Sequence, residues 1–394
     1  MIVLFLLFFT VRLSADAQGL RTPPAGITGT LIFPLQEQHA HGSSMVSLPN
    51  GDLLAAWFQG SGERKADDVK IMGALLQKGK TTWSKPFLLA DTPGLPDCNP
   101  VLFLNHHGKL FLVWIAVLAN RWEYSLLKYK TATNFAKDGK PVWSWQDNIL
   151  LKPDDRFASA VEERLKALPG TGAGWGTYAP RYDDMIITAS QDPAKRSLGW
   201  MTRIRPLLLP DDRILLPLYS DGFNLSLVAI SDDDGTSWKA GLPIVGRGNV
   251  QPALAQRKDG SIVAFMRDNG DAPSRMQISL SRDGGMSWTA AAKTDIPSTA
   301  SVAACVLQDG KWALLLNDAD DGRYRLSLYL SDDEGKTWRW KIPVEDHPPG
   351  QGSFSYPALI QTPDGLLHMT YSFNPVPHRE SIRHAVADPE KLTR

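Results

Sequence analysis

The 394-residue chain carries 42 basic and 42 acidic side chains, so its formal net charge near neutral pH is zero. A balanced surface builds no long-range field of either sign, which excludes recruitment by nucleic acid or anionic lipid and leaves any charged ligand to a local site. Two cysteines, Cys98 and Cys305, are too few for a disulfide framework or a cysteine-rich zinc centre; one disulfide between them stays open beside the plainer reading of two buried thiols.

In chain order, the first element is MIVLFLLFFTVRLSADAQ. Its apolar run from Ile2 to Val11 is too short to span a bilayer, and Ala15-Asp16-Ala17 has the A-x-A form of a cleavage site. Residues 1–17 read as a signal peptide, although no Lys or Arg precedes the apolar run, and residues 18–394 as a single exported domain, secreted or periplasmic. No later stretch is apolar for long enough to cross a membrane.

From residue 48 a turn followed by an apolar strand recurs. The copies are LPNGDLLAAW (48–57), NHHGKLFLVW (105–114), LPDDRILLPL (209–218), RKDGSIVAFM (257–266), LQDGKWALLL (307–316) and TPDGLLHMTY (362–371). Asn-Gly or Asp-Gly between apolar runs is a strong hairpin signal, so each copy marks one hairpin. Successive turns lie about 50 residues apart, except between Gly108 and Asp212, where roughly one unit of extra chain intervenes. The spacing places an insertion between Ile115 and Trp200, with Asp155 to Leu168 as an amphipathic helix carrying Phe157, Val161, Leu165 and Leu168 at helical spacing. Insertions of this length commonly lie on one face of a scaffold and shape a binding site.

A second phrase is written three times at a fixed stride: SDDDGTSW from Ser231, SRDGGMSW from Ser281 and SDDEGKTW from Ser331. Asp followed by Gly suits a tight turn, because the carboxylate caps backbone amides and Gly accepts a positive φ. The closing Trp238, Trp288 and Trp338 are expected to fold back onto a neighbouring strand, making each phrase a structural staple rather than a calcium loop. A unit of this length fits four antiparallel strands, and six units predict an all-β fold: a six-bladed β-propeller with a partly helical insertion between blades 2 and 3. Thirteen Trp and 28 Pro suit such a turn-rich ring.

The inner strand of each blade faces the axis, so a fixed offset before each turn should give residues that share a centre. Nine residues back stand Gly42, Asn99, Arg203, Gln251, Ser301 and Tyr356. None is aliphatic, which predicts a hydrated pocket rather than a plain core.

Three S-x-D-x-G-x-[ST]-W boxes on six hairpins resemble the sialidase superfamily, the BNR or Asp-box propellers, over most of the chain. The resemblance implies an exo-glycosidase that holds a sugar carboxylate with three arginines, attacks with a Tyr activated by a Glu, and protonates the leaving oxygen with a loop Asp. On this pattern Tyr356, in FSYPALIQTPDG, takes the nucleophile's place, and Arg267 and Arg323 the second and third arginines. Two departures stand out. His41-Gly42-Ser43 occupies the place of the first Arg-Ile-Pro, and Gln251 the place of the Glu. Arg203 or Arg205, in MTRIRP, is a replacement cation, and His41 a replacement base or, when protonated, a carboxylate ligand. Glu63 and Asp67, in GERKADDVKI, are candidate acids, with Asp68 ending the loop; Asp97 and Asn99 are further pocket candidates.

No cofactor or metal is expected; His39 and His41 alternate on one strand face, but two ligands make a weak metal site. The expected partner is a glycan, with no nucleic acid and no membrane after cleavage of the signal. Three readings stay open: a sialidase-type glycosidase on a terminal acidic sugar, a non-catalytic carbohydrate-binding propeller, and a lyase-like enzyme in which His41 or Tyr356 takes the proton beside a uronate carboxylate.

Overall fold

Six antiparallel sheets stand around an axis in a computed structural model that describes residues 25–170 and 182–393. The predicted signal peptide, residues 1–17, lies outside them. Blade 1 runs His39–Ser47, Leu53–Gly60, Lys70–Leu76, Phe87–Ala90, from axis to rim. Blade 2 is Asp97–Leu104, Leu110–Val117, Ser125–Ala132, Trp145–Asn148. In blade 3 the inner strand is broken into Met201–Thr202 and Leu207–Leu208, followed by Ile214–Ser220, Leu225–Ser231 and Lys239–Ala240. Blade 4 has Asn249–Gln256, Ile262–Asp268, Arg275–Ser281, Ala292–Pro297, and blade 5 Ala303–Val306, Trp312–Leu316, Arg325–Ser331, Trp340–Asp346. Blade 6 takes Ser353–Gln361, Leu367–Val376 and Arg379–Ala387 from the end of the chain, and its rim strand, Ile27–Leu31, from the beginning.

The six predicted turns are the six inner hairpins. Each has a residue at positive φ in the same place, Gly51, Gly108, Asp212, Gly260, Gly310 and Gly365, and each of these donates its amide to the carbonyl three residues back, as Gly51 N does to Leu48 O at 2.8 Å. The insertion is shorter than the spacing indicated. Residues 125–132 and 145–148 are blade 2's own outer strands, so the extra chain begins near residue 149. Its helix α1, Asp155–Ala167, is capped by Asp154 and buries Phe157, Val161 and Leu165 as the periodicity requires; a second helix, α2, spans Tyr182–Ser190. Phe157 meets Trp200 and Phe223 edge-on, and these contacts seal the insertion against blade 3.

The three boxes fold alike. In the third, Ser331 Oγ donates to Asp333 Oδ1 (2.8 Å) and accepts from Gly335 N (2.9 Å), while Thr337 N reaches Asp333 Oδ1 (2.8 Å). The Thr337 amide is foremost among the donors that hold the Asp333 carboxyl down to about 2. Each box leans on the preceding blade. A Cβ on Gly235 would stand 2.6 Å from Phe111, one on Gly285 would stand 3.2 Å from Leu215, and one on Gly335 would stand 3.3 Å from Phe265. Trp288 is buried, and Trp338 packs edge-on to Phe265 across the blade 4–5 boundary. Cys98 and Cys305 are both buried and free, on blades 2 and 5, so the disulfide left open by the sequence does not form.

Candidate active site

At the end of the axis away from the hairpin turns, the pairing of inner and second strands skips a residue in four blades. The shifts fall between His41 and Ser44, Cys98 and Val101, Val250 and Ala253, and Ser355 and Ala358. Each encloses one member of the predicted axial column, and Gly42, Asn99, Gln251 and Tyr356 all have φ between 51° and 66°. A bulge of this kind breaks the two-residue alternation and re-aims a side chain. A left-handed conformation at a bulky residue such as Tyr356 costs on the order of 1–3 kcal/mol, so the surrounding packing must hold it.

Tyr356 lies on the floor of a cavity of about 200 Å³ that is also lined by Glu63, Tyr219, Asp221, Gln251 and Arg267. Its hydroxyl accepts from Gln251 Nε2 (3.3 Å) and Arg267 Nη1 (3.4 Å). Guanidinium carbons of Arg203 and Arg323 stand 5.0 and 5.2 Å from its ring centre, and the His41 ring is 4.2 Å away. Burial alone would raise the Tyr356 phenol, but the charges of Arg267 and Arg323, aided by Gln251, bring it below its usual value. Arg267 and Arg323 make no ion pair with a carboxylate among the described residues; Arg323 Nη1 donates to Ser355 Oγ at 3.4 Å. Unmatched cations beside a concave surface are ready for an anion.

Arg203, the proposed replacement cation, is sealed beneath the ring, where it donates to Ser43 O (3.0 Å) and Pro357 O (3.1 Å); burial lowers its pKa to about 10. It charges Tyr356 from below, bridging blade 3 to blades 1 and 6. His41 is buried, and that burial, joined by the charges of Arg323, His39, Arg203 and Arg267, holds the imidazole well below its usual value. It is therefore neutral and does not bind a carboxylate as a cation, contrary to one of its expected roles. His39 is the protonated member of the pair. Burial opposes its charge, but Glu380, 2.9 Å from Nδ1, and Glu63, 3.8 Å from Nε2, raise it to about 9.

Other candidates separate. Asn99 belongs to the cavity and donates to Tyr219 Oη at 3.1 Å. Arg205 stands at the opposite end of the axis, lining a second cavity with Cys305, because the two positions from Arg203 to Arg205 along the chain carry it past the bulged level. Asp97 is fully buried between strands, accepting from Trp114 Nε1 (2.9 Å) and Thr92 N (2.6 Å), and it does not line the Tyr356 cavity. Asp67 is exposed and held by Asn120 Nδ2 at 2.9 Å, and Asp68 closes its loop on Ser61. The insertion does not line the cavity among the described residues. Its helix α2 reaches the rim through Tyr182, Asn224 and Asn269 in sequence.

Tyr219 and Asp221 were not foreseen. Tyr219 follows its turn residue, Asp212, by the same seven residues that separate Arg267 from Gly260; a column read down the second strands would have found it. Burial, with the charges of Asp221 and Tyr356, puts the Tyr219 phenol well above its usual value. Asp221 stands at the mouth, reaching solvent but walled by protein. That partial loss of hydration raises its carboxyl; Arg267 and Arg64 oppose the rise, and Glu123 and Glu63 add to it.

The same ring is found in solved structures. A protein of unknown function from Dyadobacter fermentans aligns over 92% of this chain and 99% of its own, at 16% identity and a TM-score of 0.66. The NanB sialidase from Streptococcus pneumoniae aligns over 92% of this chain and 71% of its own at 13% identity and 0.66; the leech intramolecular trans-sialidase, over 93% and 71% at 15% and 0.66. At such identities the likeness is one of fold. No curated protein matches the sequence. With the predicted repeats, the boxes and the axial column all in place, and a family model matching residues 51–169 and 188–369, the chain belongs to the family of BNR repeat-like domains.

Proposed function

We propose that the protein is an exported exo-glycosidase of sialidase type, acting on a glycan that ends in an acidic sugar. One observation carries the reading: Arg267 and Arg323, free of carboxylate partners among the described residues, converge on Tyr356 at the floor of an open cavity. A sugar carboxylate held by these guanidiniums would bring its anomeric carbon over the Tyr356 oxygen, and a tyrosine takes the place of the carboxylate nucleophile in glycosidases of this type. That two of the similar structures are named a sialidase and a trans-sialidase supports the substrate class. The apolar run and A-x-A site at residues 1–17 support export.

The test is incubation with a panel of sialosides and uronate glycans, with products read by mass spectrometry. The expected result is release of a free acidic sugar by the wild type and a loss of at least about 10²-fold in Tyr356→Phe. Full activity in Tyr356→Phe would overturn the nucleophile, and unsaturated uronate products would replace hydrolysis with elimination. A second reading, a carbohydrate-binding propeller without turnover, is favoured by Gln251, an amide where a base would stand. Binding of the same glycans with no product from any would establish it.

A further inference from the structure

Gln251 poses a problem for the chemistry just proposed, since an amide does not take a proton from Tyr356 near neutral pH. The geometry offers a way round it. The groups that face the phenol oxygen are donors: Gln251 Nε2 at 3.3 Å and Arg267 Nη1 at 3.4 Å, both from blade 4. Arg323 of blade 5 lies against the ring on one side and Arg203 of blade 3 beneath it. Blade 1 contributes neutral His41 and, one step further, protonated His39; blade 3 contributes Tyr219, un-ionised. The opposing charge is Glu63, and it is held by His39. No carboxylate hydrogen-bonds Tyr356 among the described residues. Such a shell stabilises a phenolate, and among the described residues no hydrogen bond has the phenol donating to the protein.

The cavity also holds one unengaged carboxyl group. Glu63 is beside the His39 cation, Asp67 is tied to Asn120, and Asp68 to Ser61. Asp221 has no hydrogen bond or ion pair among the described residues, and it shares the cavity with Tyr356. Its partial burial raises the carboxyl above its usual value, against the charges of Arg267 and Arg64.

We propose that Tyr356 stands ionised in the resting site, so that no base is needed at position 251, and that Asp221 gives and takes the proton of the reaction. The proton-transfer half rests on the glycosidase reading; the ionised tyrosine does not. In the first step the Tyr356 oxygen bonds to the anomeric carbon as the bond to the leaving oxygen breaks, and the Asp221 proton moves to that oxygen, releasing an alcohol. In the second, water bonds to the same carbon and gives its proton to the Asp221 carboxylate, and the electron pair of the tyrosyl bond returns to Tyr356. The cycle closes without a further reactant, with net retention. Arg203, covered from the cavity, is a permanent counter-charge to the phenolate, so Arg267 and Arg323 still present net positive charge to an arriving sugar acid.

Near-ultraviolet difference spectra test the first half without any substrate. At neutral pH the wild type should show the absorption of one tyrosinate that Tyr356→Phe lacks, and Gln251→Glu, which brings a negative charge to the phenol, should abolish it. Superimposable spectra of the wild type and Tyr356→Phe would overturn the ionised state. For the second half, Asp221→Asn should slow an alkyl glycoside by about 10²–10³-fold while an aryl glycoside with a good leaving group loses much less in its first step. Equal loss on both substrates, or none, would remove Asp221 from the reaction. A tyrosinate band in a protein that cleaves no glycoside would leave the ionised tyrosine standing and sink both the glycosidase reading and the role of Asp221.

Discussion

The two ends of this propeller are built from the same strands by opposite rules. At the box end, three turns repeat one solution. A serine, an aspartate and a later hydroxyl close on one another, and the glycine lets each turn lie against the preceding blade. At the cavity end no two blades agree. The axial residue is a glycine, an asparagine, an arginine, a glutamine, a serine or a tyrosine, four of them forced to positive φ, with cations buried beneath or, among the described residues, left without acidic partners. Repetition serves cohesion, which any blade can share. Chemistry needs one asymmetric set of groups, and the fold gives up local comfort to hold it.

That contrast can be broken by substitution. The largest effect is expected at Arg203. Arg203→Met removes a buried cation and strands the Ser43 and Pro357 carbonyls across the axis, and should cost about 3–5 kcal/mol in denaturant unfolding. A cost no greater than that of a box mutation would mean that the cavity end is not held together by its cations. Next comes His39. Its folded pKa, about 9, exceeds the unfolded 6.5, so its contribution is fully present below 6.5 and is lost as pH rises through about 9. Stability should fall over that window by up to about 3 kcal/mol, and His39→Gln should flatten the slope. The smallest effect is expected at the boxes, where Ser331→Ala removes the hydrogen bonds to Asp333 and Gly335 and should cost about 1 kcal/mol, with the proposed glycan binding unchanged. A change in binding there would show that the two ends are coupled.

Much of the ring was legible because its repeats are physical punctuation: a turn that needs a positive φ and a strand that needs a buried face leave marks at fixed offsets. The axial column was legible for the same reason, and Tyr356, Gln251 and Asn99 meet where their offsets place them. Offsets fix which level of the axis a residue occupies but not the distance between loops. Asp97 carries the right chemistry but turns into the sheet toward Trp114, and Arg205 falls at the wrong end. Asp221 went unseen because it lies beyond the strand that supports it, where no period reaches. The insertion was overestimated because blade 2 keeps its third and fourth strands in residues 125–148 without a box to announce them. The strand Ile27–Leu31 gave no sign of its partner, which lies at the far end of the chain.

That strand ties the order of assembly to the state of the site. The joint it makes with Arg379–Ala387 unites the first and last strands of the ring, and the loop it closes is nearly the whole chain, so it carries the largest closure entropy and belongs at the end of folding. The same hairpin delivers Glu380, whose carboxylate meets the Ala40 amide and His39 across 340 residues of sequence. Until the ring has shut, His39 lacks the nearer of the two carboxylates that keep it charged. The electrostatics around Tyr356 are thus completed by the last act of folding, and a ring caught open would hold an unfinished cavity as well as being unstable.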